Sequence, residues 1–171
     1  MYGEWLYAKH TVFYDELSHY FMEFDIFDKQ TKKFLSTEKR RTMLKDYKFI
    51  KSVLVLYEGK LKTLKELVAF LGKSNFKSAR NEDILKEKCE KLNLSFEIAR
   101  KQTDITDLME GLYIKVENND EVIERLKYVR ASFTNTILDS ETHWINRPII
   151  PNKLRDDVDI FSLEEGEGGN E

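Results

Sequence analysis

Residues 111–130 carry the strongest structural signal in this chain. Apolar and polar residues alternate over residues 111–117 and again over residues 121–130, which is the period of a half-buried β-strand. The turn formers Asn118-Asn119-Asp120 join the two runs, so the pattern predicts a β-hairpin. A hairpin pairs its strands antiparallel, and this favours an antiparallel sheet in the fold.

The rest of the sequence alternates between short strand and helix patterns. Ser36 or Thr37 is a suitable N-cap for one helix, Gly72 a suitable C-cap for a second and Asn81 a suitable N-cap for a third. One or two strands are predicted at 4–14 and single strands at 19–28, 34–35 and 52–57, and helices are predicted at 38–48, 63–71, 82–92 and 131–139. The sequence has no regular strand–helix–strand repeat. It therefore predicts an α+β protein with antiparallel sheets flanked by helices.

Length and composition predict one folded domain. A chain of 171 residues with 12% aromatic residues can build a single core and is too apolar for global disorder. Residues 1–163 are predicted to form the domain, and the acidic, glycine-rich residues 164–171 a disordered tail. Cys89 is the single cysteine, which excludes an internal disulfide and a cysteine-based zinc cluster. Without a membrane-spanning apolar run or a signal-peptide pattern, the sequence predicts a soluble, cytoplasmic protein.

The charges are segregated along the chain. The net charge is −3, but residues 29–65 hold twelve Lys and Arg against three acids, whereas residues 1–28 hold one Lys against six acids. A basic block of this kind is either a solvated helix face or a surface for anions such as nucleic acid. Both interpretations stay open at this point.

Several charged residues lie in segments that otherwise read as strands. They are Glu4, Glu23, Asp25, Glu110, Lys115, Lys127 and Arg130. Each could point to the solvent face of a half-open sheet. Together they could instead hold an anion through the cations and a metal or ribose through the carboxylates. The three histidines are too far apart in sequence to indicate a metal site, and no nucleophile elbow, Walker-type loop or dinucleotide fingerprint is present.

Four short motifs resemble one enzyme superfamily. The opening YGE at residues 2–4 resembles motif III of the covalent nucleotidyltransferases, which comprise ATP-dependent RNA and DNA ligases and capping enzymes. Residues 20–28 resemble motif IIIa, EGLYIK at 110–115 resembles motif IV, and RLK at 125–127 resembles motif V. Further on, His143-Trp144 and RPIIPN at 147–152 resemble the end of bacterial RNA ligases.

The resemblance implies a fold, cofactors and residue roles. It implies part of an ATP-grasp-like nucleotidyltransferase domain that uses ATP and Mg²⁺ to join RNA, or DNA, ends. Glu4 would contact the ribose, Phe24 would stack on adenine (Phe21 is the second choice), Lys127 and Arg125 would contact the phosphate, and Glu110 would help to hold the metal. Lys39, Arg40, Arg41, Lys45, Lys48 and Lys51 of the basic block, together with Arg130, would line a nucleic-acid groove.

One part of the superfamily pattern is missing. The nucleophilic lysine of the superfamily lies in motif I, Lys-x-Asp-Gly or a close variant, upstream of motif III. Motif III begins here at residue 2, and no lysine in the sequence lies three residues before a glycine. The expectation is therefore a partial adenylylation domain that is inactive alone, because it is a truncated reading frame, half of a split enzyme whose partner chain supplies motif I, or a non-catalytic nucleotide- or RNA-binding or structural module.

Two structural expectations follow. A sheet without upstream strands has unpaired edges, which predicts marginal stability or self-association, with Trp5, Tyr7, Phe13 and Tyr14 partly exposed. If the motif matches were accidental, the segments at 2–12 and 19–28 need not form adjacent antiparallel strands.

Overall fold

The computed structural model describes residues 1–139 and 147–161. The predicted tail at 164–171 and the pair His143-Trp144 lie outside the described residues. The elements follow in the order β1 (Tyr2–Trp5), β2 (Phe21–Asp25), β3 (Phe27–Asp28), β4 (Lys33–Leu35), α1 (Thr37–Leu44), β5 (Lys51–Ser52), α2 (Leu64–Val68), α3 (Asn81–Lys91), α4 (Phe96–Lys101), β6 (Gly111–Glu117), β7 (Glu121–Val129) and α5 (Ala131–Asp139). None of the described helices is long and apolar enough to cross a bilayer.

The strands form two sheets. The first has the order β1-β2-β5, in which β1 and β2 are antiparallel and β2 and β5 are parallel. The second has the order β3-β4-β7-β6 with antiparallel pairing throughout. This architecture confirms the predicted α+β class. The antiparallel β1–β2 pair is the arrangement that a genuine motif match predicts for the segments at 2–12 and 19–28.

Two predicted strands are much shorter in the structure. The strand predicted at 4–14 ends at Trp5, and the strand predicted at 52–57 ends at Ser52. Beyond Trp5 the chain leaves the sheet and is held by Asn152, whose side chain donates to the Leu6 carbonyl (2.8 Å) and accepts from the Tyr14 amide (2.9 Å). The aromatic-rich segment therefore satisfies its backbone groups through an irregular segment near the end of the chain instead of a sheet ladder.

The helices agree with the sequence patterns except at their ends. Ser36 caps α1 as predicted, with its hydroxyl accepting from the Lys39 amide. The second helix stops at Val68, before Gly72. The N-cap of α3 is Arg80, because the Asn81 side chain turns inward and donates to the Phe13 carbonyl. The predictions also missed α4, which has only six residues and so shows little periodicity.

The apolar core lies between the N-terminal segment and the helices α3 and α4. It consists of Phe13, Leu85, Cys89, Ala99 and Ile150. Phe13 is 0% exposed, which corrects the expectation that it would be partly exposed, whereas Trp5 is 61% exposed as expected. Between the two sheets, Asp25 of β2 pairs with Lys115 and Arg125 of the β6–β7 hairpin.

Candidate functional site

The hairpin β6–β7 presents a polar face beside the first sheet. Its register pairs Tyr113 with Lys127 and Lys115 with Arg125. Directly paired residues of an antiparallel ladder lie on the same face, so these four side chains form one group. Gly111 allows the two strands to approach at the base of the hairpin, because a Cβ there would lie 2.0 Å from the Tyr128 carbonyl oxygen.

Asp25 is the buried anchor of this face. Its side chain is 0% exposed, and its Oδ2 accepts from the Tyr113 hydroxyl at 2.6 Å. Lys115 Nζ lies 2.8 Å from Oδ1, and an Arg125 guanidinium nitrogen lies 3.5 Å from Oδ2. Burial, and then the hydrogen bond to Asp25, raise the pKa of Tyr113 to about 12. Arg125 also lies over the Phe34 ring, 3.8 Å from its centroid, so its position is held from two sides.

A β-bulge places Phe24 next to this group. Tyr2 pairs with Asp25 and Gly3 pairs with Glu23, which leaves Phe24 as the extra residue of β2. Bulges re-aim side chains, and here two consecutive residues contact the same tyrosine. The Phe24 ring lies 5.3 Å from the Tyr113 ring, and Asp25 accepts the hydroxyl hydrogen bond of that tyrosine. An aromatic ring and a cationic strand face thus lie side by side.

Glu110 lies just before β6, where other charged groups converge. It accepts a short hydrogen bond from the Tyr14 hydroxyl. Burial raises the pKa of Glu110; the Tyr14 hydrogen bond and the Lys127 ammonium lower it, and the Glu4 and Asp104 carboxylates raise it. Burial and the neighbouring Glu110 raise the pKa of Tyr14 well above its usual range. Glu4 and Lys127 are exposed, so the cluster opens to solvent on one side.

Two of the cations predicted for a nucleic-acid groove, Arg40 and Arg130, instead form ion pairs within the protein. Arg40 is 2% exposed and donates to Glu23 at 2.8 Å, in a buried pair that Ser52 completes with a 2.7 Å hydrogen bond. Arg130 is half-buried, pairs with Asp104 and donates to the Met109 carbonyl. Arg40 is therefore not part of an exposed basic surface, because the pair it forms fastens α1 to the first sheet.

Lys39 and Arg41, which belong to the same prediction, are exposed. Lys39 pairs with Asp120 at 2.7 Å, and Arg41 pairs with Glu58 at 2.6 Å. Exposed pairs of this kind contribute little stability. A polyanion can exchange for these carboxylates at small cost.

The solvent-face interpretation of the charged strand residues holds for only part of the set. Glu4 and Lys127 are exposed, whereas Glu23 and Asp25 are fully buried and paired with cations. The sequence analysis assigned no role in the site to Tyr14, Asp104 or Tyr113. Tyr113 carries a signal, since it lies two residues before Lys115 on the same strand face. Tyr14 and Asp104 reach the cluster only through tertiary packing, which no local pattern reveals.

The described residues contain no group of three or more His, Cys, Asp or Glu side chains placed to hold a metal ion. Mg²⁺ does not require such a group, because it keeps several waters and is held by one or two carboxylates together with substrate phosphates. Glu110, with Glu4 near it, fits that donor set.

The bulged strand pair, the cationic hairpin face and the carboxylate cluster thus lie close together in the structure. Comparison with known proteins identifies the family. Residues 1–129 match the family model for RNA ligase. No curated protein and no solved structure matches the chain. The match covers more than half of the 171 residues, and the chain therefore belongs to the RNA ligase family.

Proposed function

We propose that this chain forms the nucleotide-binding face of an ATP-dependent RNA ligase. Phe24 stacks on the adenine, Glu4 contacts the ribose hydroxyls, and Lys127 contacts the α-phosphate, with Arg125 at its side. The proposal is carried by two linked observations. The charges of Glu4 and Lys127 both act on Glu110, and the Phe24 ring contacts Tyr113, the residue that pairs with Lys127 across the hairpin. An aromatic face suits a base, and cations offset phosphate charge.

Lys127 is the cation of the hairpin face best placed for a phosphate. Lys115 and Arg125 are both within ion-pair distance of Asp25. Lys127 is exposed and, within the described ranges, has no carboxylate in ion-pair distance. It can therefore take up a phosphate without breaking an existing pair. We assign Arg125 a supporting place, because Asp25 and Phe34 already hold it.

Glu110 is the proposed metal ligand. Its carboxylate keeps one oxygen for the Tyr14 hydroxyl, which leaves the other oxygen for a cation. A bound Mg²⁺ would offset the charge of the ATP phosphates. Tyr14 would orient the Glu110 carboxylate. Residues that hydrogen-bond to a metal ligand commonly hold it in position in this way.

The lysine nucleophile of the reaction is proposed to come from outside these residues. In the first step of the reaction, a lysine amine loses a proton and attacks the α-phosphorus of ATP. The P–N bond forms, the bond to the bridging oxygen breaks, and pyrophosphate leaves with the electron pair. No lysine here lies three residues before a glycine. We therefore propose that these residues do not adenylylate themselves, and that a segment of the same polypeptide or of a partner chain supplies the lysine.

A nucleotide- or RNA-binding module without chemistry is the second candidate. The Asp25 pairs favour it, because they occupy two of the three cations of the hairpin face. The ligase and a nucleotide-binding module both predict ATP binding, and they differ in what happens when a Lys-x-Asp-Gly segment is added. Transfer of AMP to that segment supports the ligase, and binding without transfer supports the module.

Equilibrium binding of ATP in the presence of Mg²⁺ tests the nucleotide-binding face. Glu110→Gln and Lys127→Ala are each expected to weaken binding about tenfold or more, since a charge-assisted contact contributes roughly 1.5–3 kcal/mol. The matched controls are Glu124→Gln, an exposed acid on the same hairpin, and Lys86→Ala, an exposed cation on α3. Equal losses in the variants and their controls would contradict the proposed site.

A further inference from the structure

The segment that follows α1 is exposed and rich in both aromatic and basic residues. We call residues 45–62 the basic–aromatic segment. Its only regular element is the two-residue strand β5. Tyr47 is 50% exposed and Phe49 is 71% exposed. Exposed aromatic rings grouped in this way are uncommon on a protein surface that contacts only water.

The rings of this segment are held in a fixed arrangement. The Tyr47 and Phe49 ring centroids lie 6.1 Å apart with an interplanar angle of 89°. Two backbone hydrogen bonds, from the Tyr47 amide to the Leu44 carbonyl and from the Ile50 amide to the Tyr47 carbonyl, tie the turn together at 2.9 Å each. Further along, Tyr57 stacks on Phe70 with centroids 5.0 Å apart. The turn thus places the Tyr47 and Phe49 rings side by side on the surface.

The same segment is strongly cationic. It contains Lys45, Lys48, Lys51, Lys60 and Lys62, against the acids Asp46 and Glu58. Glu58 already pairs with Arg41 of α1. In the part of the chain that the structure describes, no carboxylate lies within ion-pair distance of any of the five lysines. Charge complementarity therefore selects a polyanion as the partner.

Lysines and aromatic rings together favour one kind of polyanion. The lysines alone would be enough to bind phosphates. In a duplex, the faces of the bases are hidden within the stack and cannot contact aromatic side chains. Unpaired bases stack on aromatic side chains while the backbone follows a positive surface. We propose that the basic–aromatic segment binds an unpaired stretch of RNA, with bases stacking on Tyr47 and Phe49 and phosphates contacting Lys45 and Lys48.

The segment is anchored beside the candidate nucleotide site. Lys51 pairs with Met22, and Ser52 pairs with Glu23, on the strand that carries Phe24. The Val53 amide also donates to the Glu23 carbonyl at 2.8 Å. RNA held on the segment would thus lie next to the strand that carries the proposed adenine-stacking ring. This inference rests on the proposed function and specifies which form of RNA the site receives.

Fluorescence anisotropy with two labelled RNAs tests the inference. One probe is an unstructured oligouridine of about 12 nucleotides, a length in the range of single-strand sites, and the other is a duplex of the same length. The double variant Tyr47→Leu/Phe49→Leu keeps the surface apolar but removes stacking. It is expected to weaken binding of the single strand about tenfold or more and to leave duplex binding unchanged.

Charge variants supply the second arm of the test. Lys45→Glu/Lys48→Glu is expected to weaken single-strand binding and to reduce the slope of log affinity against log salt by about one to two. Lys86→Glu/Lys91→Glu changes the net charge equally at exposed positions of α3 and serves as the matched control. Equal loss in this control would overturn the proposal, because it would indicate non-specific attraction.

Two other outcomes would also overturn it. One is an unchanged single-strand affinity in the leucine variant. The other is binding of vesicles of phosphatidylglycerol and phosphatidylcholine without binding of RNA, which would indicate a membrane surface. ATP binding, measured on the same variants, is expected to stay unchanged. A parent chain that binds ATP but binds the single strand no better than the duplex overturns this inference alone, whereas RNA binding by a parent chain that does not bind ATP overturns the proposed function.

Discussion

Lys9 shows how a single buried charge affects the stability of this chain. The residue is 9% exposed, and its ammonium donates to the carbonyls of His10 and Gln102. Burial, together with the nearby Arg147 guanidinium, lowers the pKa of Lys9 to about 8. The unfolded chain therefore binds one proton more than the folded chain between that value and the usual 10.5. Stability from this residue rises as the pH rises through this window.

We expect Lys9→Met to remove this pH dependence. The variant should gain stability relative to the parent chain at neutral pH, where the buried ammonium is charged. Its advantage should shrink by about 2 kcal/mol between about pH 7 and pH 9.5, because each pKa unit corresponds to about 1.36 kcal/mol. Urea unfolding of both proteins at the two pH values measures the change. A constant difference would show that Lys9 keeps its ordinary pKa.

The residues of the candidate site differ in how far the sequence could reveal them. Glu110 and Lys127 lie in short motifs of the sequence, so both could be proposed as site residues before the structure was known. Arg40 reads as a surface cation, but its partner Glu23 lies on another element and draws it into the interior. The burial of Arg40 depends on a tertiary contact between α1 and β2, which the basic run around it does not encode.

Among the elements, the hairpin β6–β7 was the most predictable. Its alternation, its turn residues and its pairing are all local, and the structure reproduces the predicted strands within one residue. The strand predicted at 4–14 illustrates the opposite case. Its composition favours a strand, but Asn152, more than a hundred residues away, supplies the hydrogen bonds that take the chain out of the sheet.

A substitution at Gly111 tests whether the hairpin depends on the close approach of β6 and β7. In Gly111→Ala the new Cβ would lie 2.0 Å from the Tyr128 carbonyl oxygen, so the strands must move apart. We expect a loss of about 1–3 kcal/mol in the free energy of unfolding, together with weaker ATP binding. In the control Gly72→Ala nothing lies within 4 Å of the new Cβ. Urea unfolding compares the two, and equal effects would contradict the close approach.

The N-cap residues of α1 and α4 are expected to differ in how much they stabilise the protein. Ser36 is 1% exposed; its hydroxyl accepts from the Lys39 amide and donates to the Asn119 carbonyl at 2.8 Å. Ser95 caps α4 in the same way but is exposed. Ser36→Ala should cost about 1–2 kcal/mol of unfolding free energy and Ser95→Ala about 0.5 kcal/mol. A larger loss in Ser95→Ala would contradict this account of the turn beside Asn119.

In the whole molecule, buried apolar residues and buried ion pairs lie in different regions. The apolar core lies between the N-terminal segment, α3 and α4, whereas buried ion pairs hold the elements around the candidate site. Length and composition predicted one domain, and the order of the strand and helix patterns predicted the α+β class, because each can be read from the sequence alone. Which segments meet in the core around Phe13, Leu85 and Ile150 depends on long-range contacts, and the sequence contains no local sign of them.

The exposed apolar side chains of this protein predict that it self-associates. Trp5 and Phe49 are more than half exposed, and β1 is an edge strand of its sheet. Sedimentation velocity over a wide concentration range is expected to show a rising average mass. In Trp5→Ser the rise should be smaller, since this variant removes the largest exposed ring beside the edge. A mass that stays monomeric at all concentrations would contradict the prediction.

Our proposal is that these residues bind ATP but do not supply the lysine that would bond to it. The most direct measurement is the incubation of the purified chain with α-³²P-ATP and Mg²⁺, with the label on the protein counted before and after denaturation in SDS at neutral pH, which leaves a P–N bond intact. We expect label before denaturation, less of it in Glu110→Gln, and none after denaturation. Label that survives denaturation would place the nucleophilic lysine within these residues, and absence of label before denaturation would contradict the nucleotide-binding face itself.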